Sequence, residues 1–228
     1  MATTGNDQQA LSGQALIKGS PDLERARMAG VDLRPMVKVI LVVDGSTSMN
    51  PVEDKTQEAM RELVETLRSD PDTRYRLSYV WFAGAPKTMF RNVAPEEARV
   101  MYSSDGSTAL WDALKHTFVM EMERMCPVIC VTISDGEDVC SRISPSVIEQ
   151  EVKKRLGWGN WSFAWLGMEG ASRQAPLVGI DQFIDFSRGD IKKIVARVAD
   201  RIKLAAAHMR VTGTKSVKLL EAVKGEGK

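Results

Sequence analysis

Val37-Lys38-Val39-Ile40-Leu41-Val42-Val43-Asp44-Gly45-Ser46-Thr47-Ser48 is the stretch on which the rest of the chain is read. Its first part is an aliphatic, largely β-branched run broken only by Lys38. Such a run marks a strand buried on both faces, as at the centre of a parallel sheet. The run stops at Asp44 and gives way to small and hydroxyl residues. In an open α/β sheet, ligands bind beyond the carboxyl ends of the strands, so chemistry is expected where this strand stops.

Working outward, Asn50-Pro51-Val52-Glu53 has the spacing of a helix cap, with Glu53 three places after Asn50. Val52, Ala59, Met60, Leu63, Val64 and Leu67 then recur at helical intervals, and Pro71 lies beyond the end of that helix. Tyr75 to Phe82 is aromatic and β-branched, a second strand. Gly84-Ala85-Pro86 is a turn, after which Thr88-Met89-Phe90 returns as an antiparallel edge strand. A short helix is expected after Pro95. Ala109 to Arg124 reads as a helix, Val128 to Ile133 as another buried strand, Pro145 to Leu156 as a helix and Trp161 to Leu166 as a strand. Phe183 to Phe186 is a last, weak strand. Ile191, Ile194, Val195, Val198 and Ile202 give an amphipathic helix reaching to about His208.

Strands alternating with helices predict an α/β fold: a mostly parallel central sheet with one antiparallel edge strand and helices on both faces. The domain is expected at 36–208. Residues 1–35 form a lead-in, polar and mobile at first, then a short helix opened by Ser20 and Pro21 and ended near Gly30. Residues 209–228 form a tail that frays or docks.

The length of 228 residues suits one domain with extensions. Lys and Arg total 31 against 30 Asp and Glu, so no basic excess points to nucleic acid or an acidic membrane. No stretch approaches the roughly 20 apolar residues of a membrane span, and the polar start lacks a signal-peptide core, so a cytoplasmic location is expected. The cysteines are Cys126, Cys130 and Cys140, an odd number that argues against a disulfide framework.

Besides the first loop, two others fall on the same sheet edge. They are Asp105-Gly106-Ser107-Thr108 and Ser134-Asp135-Gly136-Glu137-Asp138. Asp44, Ser46 and Ser48 stand at alternate positions, so one loop can turn their oxygens to a single point. Thr108 adds a hydroxyl and Asp135 a carboxylate. A set of hard oxygens without His or Cys suits Mg²⁺, Mn²⁺ or Ca²⁺ better than zinc. Two carboxylates only balance such an ion, which then favours one more anionic oxygen, and an Asp or Glu of another protein can supply it. Glu137 and Asp138 are weaker candidates for partner contact, beside the reading of a solvated acidic loop. Met49 is expected to anchor the first loop in the core, His116 to lie on the surface, and Trp158, Trp161 and Trp165 to pack in the core.

The motif D-x-S-x-S, followed by a Thr and then an Asp, resembles the metal-ion-dependent adhesion site of von Willebrand factor A domains. The matching positions are Asp44, Ser46 and Ser48, then Thr108, then Asp135, and the resemblance spans roughly 36–206. It implies a Rossmann-like three-layer sandwich. It also implies direct coordination by Ser46, Ser48 and Thr108, with Asp44 and Asp135 acting directly or through water. Thr47 stands where many members carry Gly, and Ser134 where Thr is common. The words around Thr108 and Asp135 resemble bacterial stand-alone members. These work as non-enzymatic protein-binding modules beside an ATPase, kinase or phosphatase, for instance in stress-response clusters.

Two competing classes are weaker. A metal-dependent phosphohydrolase of the haloacid-dehalogenase pattern wants a second Asp two places after Asp44, where Ser46 stands. No Lys or Arg lies within the three motifs to hold phosphate charge. A nucleotide-binding fold would need a glycine-rich phosphate loop, and neither usual pattern is present.

Overall fold

In the computed structural model, residues 25, 28–30 and 32–220 are described. The expected helix start at Ser20 and Pro21 lies outside them. Arg25 and Met28 are helical, and Gly30 takes a positive φ of 69° as the chain leaves that turn.

The strands are β1 (Met36–Asp44), β2 (Arg74–Phe82), β3 (Pro86–Val93), β4 (Val128–Ser134), β5 (Trp161–Met168) and β6 (Phe183–Phe186). They form one six-stranded sheet in the order β3-β2-β1-β4-β5-β6. All neighbours pair in parallel except β2 and β3. The helices are α1 (Glu53–Arg68), α2 (Leu110–Met120), α3 (Pro145–Gly157), the short α4 (Gln174–Leu177) and α5 (Ile191–Thr212). The architecture is therefore the expected Rossmann-like α/β sandwich with one antiparallel edge. None of the helices among the described residues is long and apolar enough to cross a membrane.

The alternation of β1 builds the layers. Val37, Val39, Leu41 and Val43 pack with α1 and α5, while Ile40 and Val42 pack with α2 and α3. Every β1 residue from Val39 to Val43 is fully buried, which is why the sequence shows no polar alternation there. Trp161 and Trp165 are core residues on the α2–α3 side, and Trp158 packs against the same cluster.

Four local expectations change. Asn50 does not cap α1. A 3-10 turn, Thr47–Val52, leads into the helix instead, and the Glu53 carboxylate accepts from the Ser104 backbone N–H at 2.9 Å and from its hydroxyl. After Pro95 there is only a turn. The helix expected to reach Arg124 ends at Met120, because Glu121 leaves it to meet Lys38 in the interior. His116 is not simply at the surface, since its Nε2 lies 2.7 Å from the Thr88 hydroxyl on β3. At the other end α5 runs on to Thr212, and the described part of the tail, to Leu220, then docks, burying Leu219 and Leu220. The Val217 N–H donates to the Ser162 hydroxyl at 3.0 Å.

Strand order reverses between β1 and β4: the chain moves outward to β2 and β3 on one side, then to β5 and β6 on the other. At such a reversal the flanking loops leave in opposite directions and open a crevice at the carboxyl edge. Asp44 ends β1, and Ser134 ends β4 just before Asp135.

Candidate metal centre

Asp44 is fully buried. Its Oδ1 accepts from the Ser46 backbone N–H at 2.9 Å, and its Oδ2 accepts from the Ser134 hydroxyl at 2.6 Å. Burial, with Asp135 nearby, pushes its carboxyl up to about 6, and the bonds from Ser134 and Ser46 pull the other way. Both oxygens are thus held, and the group is poorly solvated when charged.

From Asp44 the loop turns outward. The Ser46 and Ser48 hydroxyl oxygens lie 2.9 Å apart, and the Ser48 hydroxyl donates to Asp135 Oδ1 at 2.6 Å. A methyl group added at Gly136 would sit 3.8 Å from Thr108 Oγ1 and 4.0 Å from Ser48 Oγ. Thr108 therefore faces the same spot as Ser48, across Gly136. All five residues singled out in the sequence gather at the β1/β4 crevice.

The loops are stitched to each other by backbone. Thr47 N–H donates to Gly106 O at 2.9 Å, and the Thr47 hydroxyl contacts both Gly106 O and Gly106 N–H at 3.0 Å. Asp105 N–H donates to Gly45 O at 2.7 Å, and Val139 N–H to Thr108 O at 2.9 Å. Thr47 is thus a clamp between the first and second loops. Gly45 has a steric reason as well, because a Cβ there would come within 1.9 Å of the Trp81 indole nitrogen. Met49, fully buried, roots the loop in the core as expected.

Glu137 and Asp138 part ways. Glu137 is exposed, 3.6 Å from Arg173. Asp138 serves the fold: its Oδ1 accepts from Leu110 N–H at 2.8 Å and from the Ser141 hydroxyl, which fixes the start of α2 beside Thr108.

One residue of the site was missed in the sequence. Arg188, two places after β6, donates through Nη2 to Asp135 Oδ2 at 3.0 Å, and its Nε lies 3.4 Å from Glu169 Oε2. It sits outside the three motifs, and its only signal is its position just past a strand on the same sheet edge.

These residues fit a hard divalent cation. Among the described residues, no three or more His, Cys, Asp or Glu side chains are grouped to hold a metal, so a centre here must draw on hydroxyls. Octahedral Mg²⁺ or Mn²⁺ with bonds near 2.1 Å needs neighbouring oxygens about 2.9 Å apart. The Ser46–Ser48 and Ser48–Asp135 separations of 2.9 and 2.6 Å are close to that.

No family model matches the chain, and no curated protein matches it. Solved structures do. Proximal thread matrix protein 1 from the mussel byssus, with a zinc-occupied MIDAS motif, aligns at a TM-score of 0.57 and 19% identity, covering 81% of this chain and 52% of that chain. The vWF domain of the type V pili tip protein Mfa5 from Porphyromonas gingivalis aligns at 0.57 and 10% identity, covering 76% of this chain and 97% of that one. The pilus adhesin SpaC from Lactobacillus rhamnosus GG aligns at 0.60 and 12% identity, covering 75% and 30%. The chain therefore spans about half the length of the byssus protein, and less of the adhesin. At such low identity the likeness concerns the backbone and not the activity. On that backbone evidence, the chain has the fold of a von Willebrand factor A domain.

Proposed function

We propose that this chain is a protein-binding module that uses a divalent cation, Mg²⁺ or else Mn²⁺ or Ca²⁺, to hold an acidic side chain of a partner protein. The observation that carries the reading is the gathering of Ser46, Ser48, Thr108 and Asp135 around one point at the switch of strand order, with Asp44 buried behind them. The zinc-occupied site of the byssus protein, on the same fold, supports it.

A bound divalent ion would supply positive charge and a coordination position open to a carboxylate oxygen. The chain's own residues do the rest. Ser46, Ser48 and Thr108 offer neutral oxygens, so they leave the ion's charge largely uncancelled. Asp135 supplies one anionic oxygen, held in place by the Ser48 hydroxyl. Asp44 contributes charge from behind, fixed by Ser46 N–H and Ser134. Ser48 is exposed, so the point of convergence opens to solvent and to a partner.

The phosphohydrolase reading needs Asp44 free to attack phosphorus. Instead each of its oxygens accepts a hydrogen bond, and its side chain is buried. Among the described residues no pair of nucleophile and general base stands beside it, so the binding reading is preferred. A cytoplasmic complex with an ATPase, kinase or phosphatase is the setting we propose for it.

Equilibrium dialysis with Mn²⁺ tests the first half: one ion per chain is expected, with uptake lost in Asp135→Ala. A pull-down in Mg²⁺, in EDTA, and with Asp135→Ala tests the second half. A partner retained equally in all three would overturn the metal-mediated mode.

A further inference from the structure

The site buries two carboxylates side by side: Asp44, fixed by Ser46 and Ser134, and Asp135, bonded by the Ser48 hydroxyl. Unpaired buried charge is costly, so a cation is needed even when no metal is present. Among the described residues one guanidinium reaches them: Arg188 Nη2, 3.0 Å from Asp135 Oδ2. The Asp135 side chain is fully buried, while that of Arg188 is 34% exposed. Arg188 comes from the 3-10 turn Arg188–Asp190 and crosses the end of β5 to reach its partner.

Its other contact is looser. Arg188 Nε is buried without a hydrogen bond, at 3.4 Å from a Glu169 carboxylate that is itself half exposed. Glu169 stands just past β5 with a positive φ of 53°, an uncommon conformation for a residue with a Cβ. Its side chain rims the site and gives the guanidinium a second place to rest.

We propose that Arg188 is the resident cation of this site and the competitor that a divalent ion must displace from Asp135, with Glu169 receiving it. This rests on the metal reading above. Arg188 cannot shed its charge to make room, because a guanidinium stays protonated. It must move or be offset. Repulsion between a divalent ion and a guanidinium about 5 Å apart, even screened as in bulk water, corresponds to about a tenfold change in affinity. The pair thus sets a threshold: Asp135 exchanges its internal partner for the ion only when ion, and acidic ligand, are abundant. A carboxylate from a partner would also find Arg188 beside the ion, so the released guanidinium favours the acidic ligand again.

The test compares the full-length chain with Arg188→Gln, Arg188→Lys and Glu169→Gln, each confirmed folded by circular dichroism. Mn²⁺ binding is followed by calorimetry and by the free-ion electron paramagnetic resonance signal. Arg188→Gln is expected to bind Mn²⁺ about tenfold more tightly, Arg188→Lys to stay near the parent, and Glu169→Gln to bind more weakly. In EDTA, Arg188→Gln should melt below the parent, because Asp135 loses its counter-ion, and saturating Mn²⁺ should close that gap. Equal Mn²⁺ affinity in the parent and Arg188→Gln overturns the role of Arg188 and leaves the metal site standing. Absence of uptake in every folded variant overturns both. Should Arg188→Gln fail to fold, Glu169→Gln decides, and unchanged affinity there overturns the proposal.

Discussion

The two edges of the sheet bury carboxylates in opposite ways. At the amino edge, Glu121 is 1% exposed and takes a hydrogen bond from the Nζ of Lys38, a residue only 5% exposed. The Ser78 hydroxyl donates to its other oxygen at 2.7 Å, and Arg91 Nε lies 3.7 Å away. At the carboxyl edge, two carboxylates, Asp44 and Asp135, face three hydroxyls and, among the described residues, a single guanidinium borrowed from beyond β6. The first arrangement is complete: Lys38 and Glu121 answer each other at matched burial, and Ser78 and the exposed Arg91 flank the carboxylate. The second is short of positive charge and open at Ser48. A charge sealed with its partner is costly to break open, whereas the site left short of charge beside solvent is where we propose that a ligand binds.

Removing Glu121 should show the largest effect. Glu121→Ala leaves Lys38 buried without its anion and is expected to lose about 3–5 kcal/mol in urea denaturation. Mn²⁺ affinity of the remaining folded protein should stay the same. A loss below about 1 kcal/mol, as for an exposed pair, would erase the contrast between the edges.

The opposite sign is expected at Asp44. Its folded carboxyl titrates at about 6, above the ordinary 3.8, so the native state holds more protons than the unfolded chain between those values. Metal-free stability should therefore fall as pH rises from about 4 to about 6 and then level off. Asp44→Asn removes this penalty and can keep both hydrogen bonds, accepting from Ser46 and donating to Ser134. In EDTA at pH 8 it should gain about 2–3 kcal/mol over the parent, and less at pH 5, while binding Mn²⁺ more weakly. A variant that is no more stable at pH 8 would mean that Asp44 is already answered within the fold, as Glu121 is.

The smallest effect belongs to the clamp. Thr47→Val deletes the hydroxyl contacts with Gly106 on an exposed loop, so the expected loss is about 0.5–1 kcal/mol. Amide exchange at Gly106 is the sharper readout, and it should quicken. Unchanged exchange would show that the backbone bond from Thr47 to Gly106 suffices to hold the loops together.

Much of this was legible in the chain. The Val37–Val43 run could only be a central strand, and its abrupt change at Asp44 marked the sheet edge. The five gathered residues were legible too, because Asp44, Ser46 and Ser48 lie within one short loop, Thr108 stands just before a helix, and Asp135 adjoins Gly136 just past a strand. Local chemistry misled in places where a distant group made a better offer. Glu53 had the spacing of a capping residue, but Ser104 takes its carboxylate. The α2 periodicity ran on past Met120, yet Glu121 breaks it to answer Lys38. Asp138 looked like a solvated acid, but the N–H groups opening α2 claim it.

What the sequence determined by itself was the order of strands and helices, the burial of the first strand, and the five oxygen-bearing residues at strand ends. These follow from hydrophobic periodicity and turn chemistry, which act over a few residues. Only the tertiary structure decided which charges meet. Arg188 is 53 positions from Asp135, and Lys38 is 83 from Glu121. Pairing across such distances depends on how strands lie side by side, and a charged side chain carries no local mark of the partner that packing will bring to it.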